Sequence, residues 1–511
     1  MAMPCGITML NTTLRREWLT NPPRELLAGA VATFALIPEV IAFSFAAGVD
    51  PQVGLYGSFV IGIVIAFACG RPAMVSAAAG SVALVAAPLV ASHGLSYLFA
   101  AGLLAGALQI VFGLLRLGVL MRFVSQSVRT GFVNALAILI FAAQMPHLVG
   151  EGLHTYALFA VALALIYGVP RLTTAVPSPL IAIVVLTIAA SLLQLPVKTV
   201  ADLGRLPEAL PAFAWPTVPV SWETLRIIVG PAVAIAMVGL LESLMTATVV
   251  DDLTKTPSSR DRECTGLGLA NMASSLFGGI AGCGMIGQTV SNVKYGGRGR
   301  LSTLFSCAFL LALMVALKPW VSQVPVVVLV AIMVMVSVDT FNWSSLRAVV
   351  AHPRLSSTVM LATVAVTVAS HNLALGVLVG VLLSGVFFTV KVARLMHVVP
   401  EGDAAAGPLT YRVTGQVFFA SADAFIEAFD LDAAGEAGVR VDISQAHFWD
   451  VTAVAALYKI VGRYRANGIQ VEVVGMNRKR DPMAACGYAA AVWGGFSAHA
   501  HGSISSIFEI G

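Results

Sequence analysis

The stretch from Gly239 to Arg300, GLLESLMTATVVDDLT through LFGGIAGCGMIGQTVSNVKYGGRGR, sets an acid and a run of helix breaks inside an otherwise apolar sequence. Glu242 stands in its first apolar run, Asp251 and Asp252 close that run, and seven glycines follow between Gly278 and Gly297. A carboxylate in mid-membrane is costly unless it faces a cavity or changes protonation, which makes Glu242 a functional-site candidate by default. Irregular backbone at membrane depth survives only where protein or a water-filled cavity satisfies its amides. Gly278, Gly279, Gly282, Gly284 and Gly287 mark such a break. The two features together predict a binding site within a membrane-spanning fold.

The chain is 58% hydrophobic and only 11% charged, against roughly 25% charged in soluble domains, and its mean hydropathy is +0.88. It reads as a polytopic membrane protein whose first partner is the lipid bilayer. The net charge of +4 comes without a basic block interleaved with aromatics, so nucleic acid is not an expected partner. Cys5, Cys69, Cys264, Cys283, Cys307 and Cys486 form no CxxC pair, and neither a disulfide framework nor a metal site is expected. No cofactor motif is present. Residues 1–25 lack the apolar core and cleavage site of a signal peptide and read as a cytoplasmic segment.

Roughly 20 apolar residues cross a bilayer. Twelve such runs lie between 26 and 392, and two pieces remain, 76–90 and 286–297, each short, rich in small residues and preceded by a break. Counting both gives 14 segments, seven (about 26–195) before the polar loop 196–225 and seven (about 226–392) after it. An odd-numbered repeat is inserted upside down the second time, and the short segment is third in each half. Interrupted segments at matching positions point to a transporter site near the bilayer midplane. The first half also carries an acid, Glu39, beside Pro38, which frees a backbone carbonyl.

Basic residues test this topology separately. With the N-terminus in the cytoplasm, Arg15, Arg16, Arg24, Arg71, Arg116, Arg122, Lys255, Arg260, Arg262, Lys294 and most others fall inside, and only Lys198, Arg205, Arg226 and Lys318 fall outside. The asymmetry follows the positive-inside rule, with both ends cytoplasmic.

The transmembrane part is expected to end at 398. PEGDAAAGP (400–408) has linker chemistry, giving a linker at 399–408 and a second domain at 409–511. TYRVTGQVFF reads as a hairpin-like pair of strands and SADAFIEAFDLDAAG as a helix ended by Gly435. VRVDIS reads as a buried strand, TAVAALYKIVGRYRANG as an amphipathic helix ended by Gly468, and IQVEVVGM as another strand. This is a small cytoplasmic α/β domain.

IPEVIAFSFAAGVDPQVGLYGSF (37–59), GLLESLMTATVVDDLT, and GLGLANMASSLFGGIAGCGMIGQTVSNVKYGGRGRLS resemble signatures of the SulP, or solute carrier 26, family of anion transporters. VDISQAHFWDVTAVAALYKIVGRYRANGIQVEVVGM resembles the STAS domain appended in that family. The resemblance implies a seven-plus-seven inverted repeat, a core of segments 1–4 and 8–11, a gate of segments 5–7 and 12–14, elevator-like motion, and a homodimer. It places the anion between the starts of segments 3 and 10. The contacting positions would be Ala79, Gly80 and Ser81 on one side and Gly287, Gln288 and Thr289 on the other. Helix N-termini offer unpaired N–H groups and a positive dipole end to an anion, and Ser81, Gln288 and Thr289 add donors.

The sequence departs from many relatives in having Gln288 where they carry arginine. Two carboxylates without that cation repel a dianion unless one takes a proton. Burial and like charge favour protonation, so Glu242, with Glu39, is the candidate proton-coupling acid. Thr246, one turn after Glu242, offers instead a sodium site with it. Competing structural readings make Glu242 a packing acid bonded to Ser243 or Thr246, Glu39 a packing group, and Gln109 and Asn134 helix-to-helix glue. Asp251 and Asp252 are expected to be solvated or paired with Lys255 or Arg260. Thr452, in WDVT, stands where STAS domains of bacterial regulators carry a phosphorylatable hydroxyl, with an N-cap role as its first explanation; STAS modules also bind cytoplasmic protein partners, and nothing in the sequence identifies one.

The expected function is therefore secondary active anion transport in a bacterial inner membrane, with proton symport of a small anion. A C4-dicarboxylate such as fumarate stands slightly ahead of sulfate or bicarbonate. Alternatives are an uncoupled channel or a sodium-coupled symporter. A Glu39/Glu242 enzyme is disfavoured, because no nucleophile or metal cluster accompanies the acids.

Overall fold

The computed structural model describes residues 17–18, 21–119, 124–172, 177–351, 354–401, 408–433 and 438–475. Residues 1–16 of the expected N-terminal segment, Arg122, the linker residues 402–407, Gly435, and everything expected beyond 475 lie outside the described residues. The chain divides into two compact units between Leu382 and Leu383.

Among the described residues, the membrane part is built on fourteen main helices, with three short α-helices (Val200–Leu203, Lys318–Val321 and Ser344–Ala351) in the connections. The main helices are α1 (Pro22–Ala46), α2 (Pro51–Ala68), α3 (Gly80–His93), α4 (Leu95–Leu114), α5 (Gln126–Gln144), α6 (Leu153–Gly168) and α7 (Ser178–Leu192), then α8 (Trp222–Thr254), α9 (Arg260–Leu276), α10 (Ile286–Lys294), α11 (Arg300–Ala316), α12 (Val326–Thr340), α13 (Arg354–Ser370) and α14 (Leu373–Ala393). Eight of them, α1, α2, α4, α5, α6, α8, α12 and α14, are long and apolar enough to cross a membrane, and α3, α7, α11 and α13 are shorter apolar helices. Helix starts follow local chemistry. Pro22 and Pro51 open α1 and α2 with a preset φ and no wasted N–H. Ser125 and Ser221 accept N–H bonds from the first turns of α5 and α8.

Helix packing maps onto itself when every number is shifted by seven. α1 packs on α11 as α8 packs on α4, α4 on α9 as α11 on α2, α1 on α10 as α8 on α3, and α5 on α13 as α12 on α6. That is the packing of a seven-plus-seven inverted repeat. It separates a group made of α1–α4 and α8–α11 from one made of α5–α7 and α12–α14.

The two short segments carry more than helix. β1 (Ser76–Ala78) precedes α3 and β2 (Gly282–Gly284) precedes α10. The strands pair antiparallel, Ser76 with Gly284, Ala77 with Cys283 and Ala78 with Gly282. Gly282 is required here, since a Cβ would lie 2.0 Å from the Ala77 carbonyl oxygen. A two-stranded ladder leaves outward-facing polar groups that cannot stay bare inside a membrane protein. Side chains from four helices satisfy them. Ala78 N donates to Ser58 Oγ (3.1 Å), Gly282 N to Asn271 Oδ1 (2.8 Å), Gly284 N to Ser243 Oγ (2.8 Å) and Val75 N to Thr289 Oγ1 (3.0 Å). Asn271 Nδ2 also reaches Gln109 Oε1 at 2.9 Å. Gln109 is thus glue between α4 and α9, and Asn134 does the same work for Ser345 and the Asn342 amide.

The second unit contains a mixed sheet in the order β3-β4-β5-β6. β3 (His397–Glu401) is antiparallel to β4 (Leu409–Val417), while β5 (Val439–Phe448) and β6 (Val471–Val474) run parallel to it. TYRVTGQVFF is thus one strand and not a hairpin, its hairpin partner being β3, and residues 399–401 are strand where linker chemistry suggested otherwise. Alternating inward residues Tyr411, Val413, Val441 and Ile443 pack with Phe425 of α15 (Ala422–Glu427) and with Ala453, Ile460 and Tyr464 of α16 (Val451–Ala466). Helix α15 stops well before Gly435.

Candidate functional site

β1 passes into α3, and β2 into α10, across one extended residue each: Ala79 (φ −122°, ψ 151°) and Met285 (φ −87°, ψ 111°), neither capped by a side chain. The first i to i−4 bonds are made by Ala83 N to Ala79 O and Thr289 N to Met285 O. The amides of residues 80–82 and 286–288 therefore precede any helical acceptor and project from the helix starts. Because Met285 N still bonds Val75 O, the two helix starts lie about four strand residues apart, roughly 13 Å.

Ala79, Gly80, Ser81, Gln288 and Thr289 are all buried there, and Gly287 is exposed. A Cβ on Gly80 would sit 2.6 Å from the Phe43 ring, while one on Gly287 would meet nothing within 4 Å. The α3 start is thus roofed by an aromatic ring and the α10 start opens onto free space. Thr289 differs from expectation. Its hydroxyl is spent on the ladder at Val75 N and Val75 O, leaving no proton for a ligand.

The two acids reach across the repeat. Glu242 of α8 accepts from Ser81 in the first turn of α3, and from Cys283 Sγ of β2 at 3.0 Å, both on Oε2. Glu39 of α1 lies near the Gln288 side chain in the first turn of α10. Glu242 thus rests on the half-helix of the other repeat, and Glu39 stands beside the other one. Both keep part of their surface accessible. The expected packing partners of Glu242 are elsewhere: Ser243 holds Gly284 N, and Thr246 Oγ1 donates to Glu242 O (2.8 Å) and Gly284 O (3.0 Å). Thr246 stands beneath the carboxylate without touching it.

Two other buried acids, unnoticed in the sequence, show what a structural carboxylate looks like in this fold. Glu25 accepts the amides of Arg298 (2.7 Å), Gly299 (2.8 Å) and Ser302 (3.1 Å), capping α11. Glu263 Oε2 accepts the amides of Gly70 and Arg71, each at 3.0 Å. Main-chain donors fix these two, whereas Glu242 is held by the side chains of Ser81 and Cys283. Asp251 also departs from expectation. It pairs with Arg71 of the α2–β1 connection at 3.1 Å and accepts from Ser258 at 2.9 Å, not from Lys255 or Arg260.

In the second unit, Asp450 caps α16 by accepting from Ala453 N (2.8 Å) and also takes Phe419 N (2.8 Å). Thr452 is therefore not the cap. It is an exposed hydroxyl in the first turn of α16.

Sequence reasoning missed Phe43, Cys283, Ser243 and Asn271. Cys283 lay in plain view between Gly282 and Gly284, but nothing local marks a thiol as the partner of an acid forty-one residues earlier.

Comparison with known proteins follows this geometry. A profile of the Sulfate permease family matches residues 24–172 and 152–363, and one of the STAS domain matches 400–492. YbaR of Bacillus subtilis (strain 168), whose name assigns it provisionally to sulfate transport, is 49% identical over 470 residues, 91% of this chain and 97% of that protein. The bicarbonate transporter BicA of Picosynechococcus is 27% identical over 504 residues, 88% of each. Among solved structures, the transmembrane domain of a cyanobacterial BicA superposes with a TM-score of 0.62 at 27% identity, covering 71% of this chain and 98% of that one. The murine anion transporter Slc26a9 in its inward-facing state gives 0.79 at 17% identity, covering 94% and 90%, a likeness of fold. On the inverted repeat, the crossed half-helices and these matches, the chain is a multi-pass membrane anion transporter of the Sulfate permease family with a C-terminal STAS domain.

Proposed function

We propose that the protein is a proton-coupled anion symporter in which the cargo lies between the starts of α3 and α10 and Glu242 carries the coupling proton. The observation that supports this most is Glu242 of the second repeat held by Ser81 in the first turn of the first repeat's half-helix. Neither helix start has a cationic side chain in its first turn, so the attraction for an anion comes from backbone N–H groups and dipole ends. Two carboxylates at such a site oppose the cargo until one is neutralised, and a proton arriving with the anion does that. A site without a cation suits a carboxylate better than a compact dianion. A C4-dicarboxylate such as fumarate is the cargo placed first, with bicarbonate and sulfate, the anions in relatives' names, as competitors.

The α1–α4/α8–α11 group carries both helix starts and both acids, and it moves against the α5–α7/α12–α14 group as an elevator. An apolar cavity lined by Phe34, Ile37, Ile183, Leu180, Met314 and Leu329 lies between the two groups, a surface without directional bonds to break during sliding. The protein works as a homodimer in the inner membrane with both termini cytoplasmic, and the STAS domain docks a cytoplasmic protein through the face that carries Thr452.

Sodium coupling is the second reading. It is favoured by the buried Thr246 hydroxyl beside Glu242, although that hydroxyl already donates to two carbonyls. The test is uptake of labelled fumarate, bicarbonate and sulfate into proteoliposomes under an inward proton or sodium gradient, with wild type, Glu242→Gln and Thr246→Val. Proton-stimulated uptake lost in Glu242→Gln supports the proposal. Sodium-stimulated uptake lost in Thr246→Val replaces it with sodium coupling, and gradient-independent flux in every variant makes the protein a channel.

A further inference from the structure

We propose that Cys283 is a positioning residue for the coupling step: its thiol, together with the Ser81 hydroxyl, pins Oε2 of Glu242 and leaves Oε1 as the oxygen that takes the proton. The inference rests on the reading of Glu242 given above and names a residue for it.

Three atoms form a closed group at this point. Cys283 Sγ donates to Glu242 Oε2 at 3.0 Å, Ser81 Oγ donates to the same oxygen, and the two donors stand 3.7 Å apart. They come from different repeats, Ser81 from α3 in the first and Cys283 from β2 in the second. Cys283 is fully buried at the middle of the ladder, opposite Ala77. Its backbone is fixed on both sides, because Gly282 N is held by Asn271 and Gly284 N by Ser243. A thiol on so rigid a strand has little freedom except to point at the acid.

Two donors on one carboxylate oxygen set the rotation of the whole group. Both donors sit on Oε2, Glu242 is only partly buried, and Oε1 is the oxygen left for a proton. Protonation there is simple: a hydronium ion arriving from the acidic side gives its proton to Oε1 and leaves as water, the carboxylate becomes a carboxyl, and both donors stay in place.

The surroundings keep the effect local. α8 packs against α3, α4, α9, α10 and β2. Besides Cys283, the titratable residues of those elements are His93, Tyr97, Arg260, Asp261, Arg262, Glu263, Cys264 and Lys294, all within the end turns of their helices. On α8 itself Glu223, Asp251 and Asp252 stand two or more turns away. Glu39 is the remaining acid of the site, and it lies beside Gln288.

The test compares Cys283→Ala with Cys283→Ser in the full chain, reading proton-driven uptake against pH in proteoliposomes, with folding followed by size exclusion and melting temperature. Removing a donor from the ionised form favours the protonated one. In Cys283→Ala the pH of half-maximal uptake should move to higher pH by about half a unit to one unit, with the KM for the anion changed less than twofold. Cys283→Ser keeps a donor and should restore the wild-type profile. An unshifted profile in a well-folded Cys283→Ala, or a serine variant shifted as far as the alanine variant, overturns the inference. Glu242→Gln separates the two layers. If it abolishes gradient-driven uptake while Cys283→Ala is unshifted, only the positioning role falls; if it retains gradient-driven uptake, the coupling role of Glu242 falls, and the inference with it.

Discussion

Ala77 and Cys283 face each other at the centre of the β1–β2 ladder, so the two repeats are joined through their main chains at the point about which they are related. Side-chain contacts between repeats can be exchanged one at a time during evolution. A backbone ladder cannot, and its requirements fall on glycine.

Gly282→Ala should therefore fail where Gly287→Ala succeeds. The first methyl would lie 2.0 Å from the Ala77 carbonyl oxygen and the second meets nothing within 4 Å. The expected cost of overpacking at Gly282 is about 1–3 kcal/mol, with loss of uptake, while Gly287→Ala should melt like wild type and alter only the apparent affinity for the anion. Thermal unfolding in detergent with parallel uptake assays checks both.

Asp251→Asn should destabilise the protein and Asp252→Asn should not. Arg71 is buried and Asp251 mostly so, at 5% and 23% side-chain exposure, and an arginine left without its anion costs about 1.5–3 kcal/mol. Asp252 is exposed, and its substitution should fall within about 0.5 kcal/mol of zero. Melting temperatures of the two variants give the comparison directly.

Gln288→Arg should change which anion is preferred. A guanidinium at the α10 start would pair with Glu39 and add fixed positive charge facing the cargo. Sulfate should compete with fumarate roughly tenfold better than in wild type, about 1.4 kcal/mol, and the proton gradient should matter less. Unchanged competition would place the anion away from the α10 start.

Tyr464 provides a pH dependence outside the membrane. Its hydroxyl donates to the Asp430 carbonyl at 2.7 Å, and burial pushes the phenol's ionisation up from its ordinary value. A raised folded-state value means the neutral form is favoured by folding. That stability is complete below the free phenol's range near pH 10 and lost as pH rises beyond it. Tyr464→Phe should cost about 1 kcal/mol at neutral pH and weaken the alkaline loss, read by hydrogen exchange in β5 and α16 of the full-length protein.

The sequence made the organisation plain because its signals are local. Glycine runs mark the breaks before α3 and α10, apolar length marks the spans, and counting to seven relates the halves. Pairings that decide the site are not local. Ser81 meets Glu242 across 161 residues and Arg71 meets Asp251 across 180, so no spacing rule finds them. Strand β1 was hidden because SAA has the same small-residue composition as the start of the helix that follows, and only an antiparallel partner two hundred residues away makes it extended. The Asp450 cap displaced Thr452 for a related reason, since Asp450 is also held in place by Phe419 N from another element.

The ladder that joins the repeats has a consequence for direction. Its main-chain hydrogen bonds tie the α3 and α10 starts into one stiff unit. In a carrier built this way, the unit keeps its shape whichever leaflet it faces. A carrier whose site keeps one shape offers the same donors to both compartments, and the direction of net flow is then set by the concentrations on the two sides.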